Sequence, residues 1–435
     1  MFRRMAFIAM LLMFTVISSS FAACSSGLSS SGTTRIKVWF PGNSVPESDL
    51  MLKTLVPEFE KANPSIKVDV QYVDWGSLSP KLNSGFAGGI APDVFGHGTA
   101  ATAGFAVNNR VLSLDDYINK LDEATRKDFG ATINAGLVNG HRYMMPLVGD
   151  GQLYAYRTDL FQAAGLDLAH PPTNWDELQN AARKLTQRQG GKVVRAGLQF
   201  GSTGISAEGT FASFLYQAGG QLLNKDNTAI TWNSEQGIKA LQFMVNLYNG
   251  PDAVGTNANA NAALLPISQH PLVTGQAAIA LVGSSTLASI QRVRPDVMKN
   301  IAVMPPISQE QQAAFGGTGT ALFINKDSKH PDASWRFIQY MTSFTTLQKY
   351  TNVTGAFPIR TSFLKSDLVQ KQPFMKPYLE AEASNIFQPN PDIPAWIQLR
   401  DILTRYLEKA MVQQMTPKAA LDAAAQEAGS LLAKK

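Results

Sequence analysis

Trp396 and Arg400 stand one helical turn apart, just after Pro394 and beside an apolar stripe that begins at Leu399. Residues four apart on a helix share a face. An aromatic plate and a planar fork of donors therefore point the same way, which suits the apolar face and hydroxyls of a sugar or the oxygens of a phosphate. The bland alternative is a surface arginine packed on an indole. Trp75, in the polar stretch 74–79, offers a second flat face or else caps a domain edge. Asp150, between Gly149 and Gly151, could accept two hydroxyls or simply form a turn. Asn43 and His97 follow strand-like runs, where open α/β sheets present ligands, although such a histidine also serves as a hydrogen-bonded structural residue. Gly316 and Gly317, followed by Thr318, could offer backbone amides to oxygen atoms or flex a hinge. Trp39, inside a strand pattern, reads as core, and Trp232, just before a helix start, as an N-terminal staple.

These residues belong to a chain of 435 residues, 45% apolar and 16% charged. That is enough to bury a large core and, at roughly 150 residues per domain, to form two or three domains. The formal charge is +5, of which Arg3 and Arg4 supply two in a removable leader, so the remaining +3 is small and scattered. It gives no footprint for nucleic acid. One cysteine excludes an internal disulfide and a thiolate metal cluster. There is no Gly-x-Ser-x-Gly elbow, no His-Glu-x-x-His and no phosphate loop, because the glycine-rich pieces at 85–89 and 316–319 lack a following Lys-Ser/Thr. No cofactor and no metal are implied.

The N-terminus reads as an export signal: Arg3 and Arg4, an apolar run over 5–17, then small residues up to Phe21-Ala22-Ala23-Cys24. Ala22-Ala23-Cys24 resembles the lipobox of bacterial lipoproteins, in which the cysteine is acylated and becomes the new N-terminus. Phe21 stands where leucine is usual, and the other reading is an ordinary signal peptide cut near Ala23. The Ser/Gly-rich stretch after Cys24 suits a flexible tether. The expectation is a signal peptide over 1–23, a lipidated Cys24 with its tether over 24–34, and a body anchored to the membrane outside the cytoplasm.

Within the body, 35–40 alternates as a strand, 52–59 repeats at helical spacing, and 66–73 alternates again. A helix over 78–86 and a buried strand over 91–95 complete a β-α-β-α-β opening, the signature of a mainly parallel sheet covered by helices. Strands are expected over 142–147, 152–157, 277–282 and 321–324. Helices are expected from Asn174, which can cap while Glu177 reaches back, and over 234–248, 330–341, 399–411 and beyond Pro417.

The ordered pieces RIKVWF…LVPEFEKANPSIKVDV, GGIAPDVF, YMMPL…YAYRTDLFQAAGLD with NWDEL, YQAGGQLLNKDN, VTGQAAIALVGSS, ALFINKDSKHPDASWRFIQYM and TGAFPIR resemble the extracellular solute-binding proteins of ABC importers, the maltose- and oligosaccharide-binding branch. The resemblance runs from about 35 to 432. It implies two doubly wound α/β lobes joined by hinge strands, with lobe 1 over 35–145 and 308–352 and lobe 2 over 146–307 and 353–435. It also implies chain crossings near 143–146, 305–308 and 351–355, a carbohydrate ligand in the cleft, permease subunits as partners, and a monomer. SSTLASI at 284–290, Gly316-Gly317, TGAFPIR and IPAWIQLRDIL are also similar to glycerol-3-phosphate and glycerophosphodiester binders. That likeness points to Ser284 or Ser285, Gly316 or Gly317, and Arg400 as ligand contacts. Leu78 and Ala356 stand where those binders place tyrosines, so the phosphate ligand is the runner-up to a neutral sugar. Two further classes compete. A secreted carbohydrate-active hydrolase needs two carboxylates about 5 to 10 Å apart, and an adhesive lipoprotein would explain the tether but not the two-lobe pattern.

Overall fold

The computed structural model describes residues 32–42, 44–256 and 265–432. Strand β1 (Thr34–Pro41) alternates as its sequence requires, and Ile36, Val38 and Phe40 are wholly buried. It pairs in parallel with β2 (Ile66–Val73) and β3 (Val94–Gly98). Between β1 and β2 run α1 (Val45–Leu50), a π-helical turn and α2 (Val56–Ala62), which ends at Asn63 where Pro64 forbids continuation. Helix α3 (Trp75–Ala87) links β2 to β3, and the short α4 (Thr102–Val107) follows β3.

Five further strands continue the sheet: β4 (Met145–Arg157), β5 and β6 (Gln187–Gln189 and Lys192–Gln199), β7 (Ala277–Gly283) and β8 (Ala314–Ile324). The order is β2-β1-β3-β8-β4-β7-β6-β5. Parallel pairs lie at β2-β1-β3 and at β6-β7, and the two long antiparallel strands β8 and β4 run between them. The sequence suggested two separate strands over 142–147 and 152–157. They are one continuous strand, because Gly149-Asp150-Gly151 stays extended and pairs with Gly316-Gly317-Thr318 of β8. The second crossing also lies further on than 305–308: Ser308 is still bonded to Thr173, and the chain passes over inside β8, where the register shifts between Thr318 and Ala321. A third passage brings Phe357–Pro358 alongside Gly149 and Val148.

The longer of the remaining helices are α5 (Trp175–Leu185), α6 (Gly204–Gln217), α7 (Glu235–Tyr248), α8 (Ser284–Val293), α9 (Pro331–Met341), α10 (Phe344–Thr354), α11 (Met375–Ala383), α12 (Trp396–Met411) and α13 (Pro417–Leu432). Their starts follow local chemistry. Asn174 accepts from Glu177 N at 3.0 Å while the Glu177 carboxylate takes Thr173 N at 2.8 Å, and the Ser234 hydroxyl caps α7. Trp39 packs partly buried against the α3-side core and Trp232 is wholly buried, both structural. No helix among the described residues is long and apolar enough to cross a membrane.

The core is distributed unevenly over the two faces of the sheet. One face carries a single apolar layer, from Ile36 and Phe59 through Leu147 and Leu153 to Leu287, Phe357 and Phe387. The other face carries two separate clusters. Leu78, Phe86, Phe95 and Phe323 form the first, under α3, and Phe211, Leu241, Trp396 and Leu403 form the second, among α6, α7 and α12. The molecule is thus two α/β halves, continuous behind and divided in front.

Candidate functional site

Side-chain parity along β4 places the site. A Cβ on Gly149 would lie 1.9 Å from the Phe357 ring and one on Gly151 would lie 2.5 Å from the Phe387 ring. Leu153 and Ala155 share that continuous layer, whereas Tyr154 and Tyr156 face the divided side. With a period of two, Asp150 projects to the divided face, at the gap between the two front clusters. Its side chain is exposed, yet burial of the carboxyl raises its pKa above the usual carboxylate range, partly offset by the Gly151 N–H. The carboxyl thus reaches solvent while protein atoms crowd around it. Stacked Phe357 and Phe387, with centroids 5.5 Å apart, form the wall behind it.

The rim on one side belongs to α3. Asp74 caps that helix by accepting from Gly76 N at 2.9 Å, which sets Trp75 at the first turn with 49% of its surface exposed. The indole meets His97 edge to face at 6.1 Å. His97 Nδ1 lies 3.2 Å from the Gly98 carbonyl, which can only accept, so Nε2 takes the Ser79 hydroxyl at 3.0 Å. Burial also depresses the His97 pKa and keeps the ring neutral. Both nitrogens are occupied by protein, so His97 braces Trp75 and is not free to hold a ligand.

On the other half, the position of a Cβ on Gly283 is 3.9 Å from Asp150 Oδ1 and 3.7 Å from Ser285 Oγ. Ser285 is exposed there, while the buried Ser284 donates to the Gly355 carbonyl at 2.7 Å. The pair thus divides: Ser285 faces the opening and Ser284 fastens the third crossing. Gly317 lies opposite Asp150 with φ 124°, a conformation open to glycine. A Cβ on Gly316 would sit 2.6 Å from Phe387 and 2.7 Å from the Asp150 carbonyl, so these glycines allow the close crossing.

Comparison with known proteins agrees with a fold of two α/β halves. Residues 44–343 match the bacterial extracellular solute-binding protein family. The chain belongs to that family. This binding protein is 24% identical over 378 residues to a binding protein of Brucella abortus, covering 86% of this chain and 88% of that one. It is 23% identical over 412 residues to the sn-glycerol-3-phosphate-binding periplasmic protein of Pectobacterium atrosepticum, covering 88% of each. The solute-binding protein of Thermotoga lettingae, solved with α-D-tagatose, has the same fold with a TM-score of 0.79 at 23% identity, covering 92% of this chain and all of that one. Members of the family bind solutes outside the cytoplasm, which sets aside the hydrolase reading.

The binding protein departs from the sequence expectation at Trp396. Its ring is 0% exposed inside the second front cluster, so it offers no stacking face, and the exposed plate is Trp75. What Trp396 does offer is its Nε1, which is buried with no protein partner. On the same stripe of α12, Arg400 Nε and Thr404 Oγ1 are also buried and unpaired, and opposite them both oxygens of the wholly buried Glu208 on α6 are unpaired. Burial pushes Glu208 up to about 8, with Arg400 pulling the other way. Glu208 carries no motif that marks it, although a lone carboxylate in the apolar run ISAEGTFASFLY is itself unusual, since glutamate is seldom buried without a partner. Asn43 and Cys24 lie outside the described residues. Among the described residues no group of three or more ligating side chains could hold a metal.

Proposed function

We propose that this protein is the receptor of an ABC importer, capturing a neutral carbohydrate between its two halves and handing it to a membrane permease. The observation that carries this reading is Asp150, open but desolvated at the crossing, with Trp75 at the rim. A carboxylate and an indole face are the pair that a pyranose requires, one for paired hydroxyls and one for the apolar ring face. Ser285, Gly317, Arg400 and the Nε1 of Trp396 are proposed for the same cleft, whereas Gly316 serves the close crossing behind it.

The unpaired atoms at α6 and α12 support a polyhydroxyl ligand. Buried polar groups in native proteins are nearly always paired, and Trp396 Nε1, Arg400 Nε, Thr404 Oγ1 and Glu208 together supply donors and acceptors to hydroxyls. A glycerol phosphate is the second reading, favoured by Arg400. Against it, Arg400 is the one cation in this group and already faces Asp401 at 3.3 Å as well as Glu208. A thermal-shift screen against neutral sugars, polyols and glycerol phosphates, repeated at low and high salt, tests the choice. A sugar should raise Tm with little salt dependence. A salt-sensitive response to glycerol phosphate alone would overturn the neutral-sugar assignment. The membrane attachment proposed is acylation of Cys24, which would leave the body on a short tether beside the permease.

A further inference from the structure

We propose that Asp392 is the catch of the shut form, bonding across the cleft to the first turn of α4, and that this catch is strengthened by acid. Asp392 is carried by the second half: before it, Phe387–Gln388 pairs with Ala314 and Phe315, and after it, α12 packs on α6. Its Oδ1 accepts from Ala103 N at 3.0 Å, and Ala103 lies in α4 of the first half. The Ala103 N–H is one of the amides that a helix start leaves without a backbone partner, so separation of the halves strands a donor on one side and a carboxyl on the other. The contact is local and close, because a Cβ on Gly104 would come within 3.9 Å of the Pro394 carbonyl, and Ala100 packs against the second front cluster.

The second oxygen gives the catch its sign. Asp392 Oδ2 is buried with no protein partner, as is Asn390 Oδ1 beside it. They line an interlobe cavity of about 260 Å³ with Thr99, Thr318 and Glu382. An ionised carboxylate there keeps one oxygen unsolvated, whereas a neutral acid places its proton on Oδ2 and still accepts through Oδ1. Burial pushes Asp392 up to about 6, offset in part by the Ala103 N–H. A carboxyl that returns to its ordinary range on opening binds its proton more tightly when shut. The added preference for the shut form is complete below that ordinary range and is lost as pH rises through about 6.

Other titratable groups face this region. Glu382 lines the same cavity and is pushed up to about 7 by burial, Asp150 stands across from Gly317, and Arg400 and Asp401 lie on α12. The segments 99–107 and 130–136 carry no charged residue. These neighbours remain in Asp392→Asn, so the difference between wild type and that variant isolates Asp392.

The test needs no bound solute, so its failure is distinguishable from failure of the capture reading. Nitroxides are placed at Lys53→Cys and Lys418→Cys, both exposed and one on each half, in the full chain with Cys24→Ser, and the distance distribution is measured from pH 5 to 8. The ratio of shut to open should rise about tenfold in wild type between pH 7 and pH 5. Asp392→Asn, which keeps the acceptor and cannot ionise, should hold a high shut fraction with that added response gone, and Asp392→Ala should stay open throughout. Identical pH responses of wild type and Asp392→Asn would overturn the proposal, as would an alanine variant as shut as the wild type.

Discussion

Gly317 pairs directly with Asp150 across the two crossing strands, so the residue opposite the cleft carboxylate has no side chain to fill the opening. The strands meet where glycine is also required behind: Gly149 and Gly151 admit the Phe357 and Phe387 rings. One short stretch therefore builds both the open front and the packed back of the hinge.

Gly149→Ala should destabilise the protein. Its new methyl would press on the Phe357 ring at 1.9 Å, and overpacking of this kind costs about 1–3 kcal/mol or more. Chemical denaturation reads the loss. Unchanged stability would mean that Phe357 moves freely and that the rear layer is not tightly packed at the crossing.

Trp75→Ala should weaken capture of whichever sugar the screen identifies by about 1–3 kcal/mol, the worth of an aromatic stacking face. The indole is half exposed, so melting temperature should scarcely change. Calorimetry on the variant checks this, and full retention of affinity would remove Trp75 from the site.

Glu208→Gln should stabilise the unliganded protein in alkali but not in acid. Burial raises the Glu208 pKa to about 8 from a usual value of 4.5, so the fold favours the neutral acid. Its contribution is complete below the usual value and is lost as pH rises through about 8. Glutamine keeps the neutral form at every pH. Melting curves should show the variant above wild type by a few degrees at pH 8 and level with it near pH 4. A gain independent of pH would refute the titration of Glu208.

Cys24→Ser should release the mature body or leave an uncleaved precursor, since the chain has no other thiol to acylate. Fractionation of expressing cells reads the outcome, and a processed protein still held in the membrane would exclude the lipid anchor.

Much of this architecture is written locally. The alternation of TRIKVWFP and IKVDVQYV, the Asn174 and Ser234 caps and the apolar stripe of α12 each lie within a few neighbouring residues, so strand and helix periods reveal them directly. The candidate residues Asp150, Ser285, Gly317 and Trp75 were legible by type and family likeness, but their facing was not. Asp150 points to the front because β4 continues through its two glycines, and that continuity depends on pairing with β8, more than 160 residues away. His97 and Trp396 carry side chains suited to a ligand, yet tertiary packing gives His97 to Ser79 and Gly98 and sinks the Trp396 ring into the α6–α12 core. Glu208 and Asp392 acquire their properties only from what surrounds them. Amino-acid order determined which segments form strands and helices, because those depend on neighbours in the chain. Register and burial decided which side chains meet at the cleft, because desolvation and hydrogen bonding depend on neighbours in space.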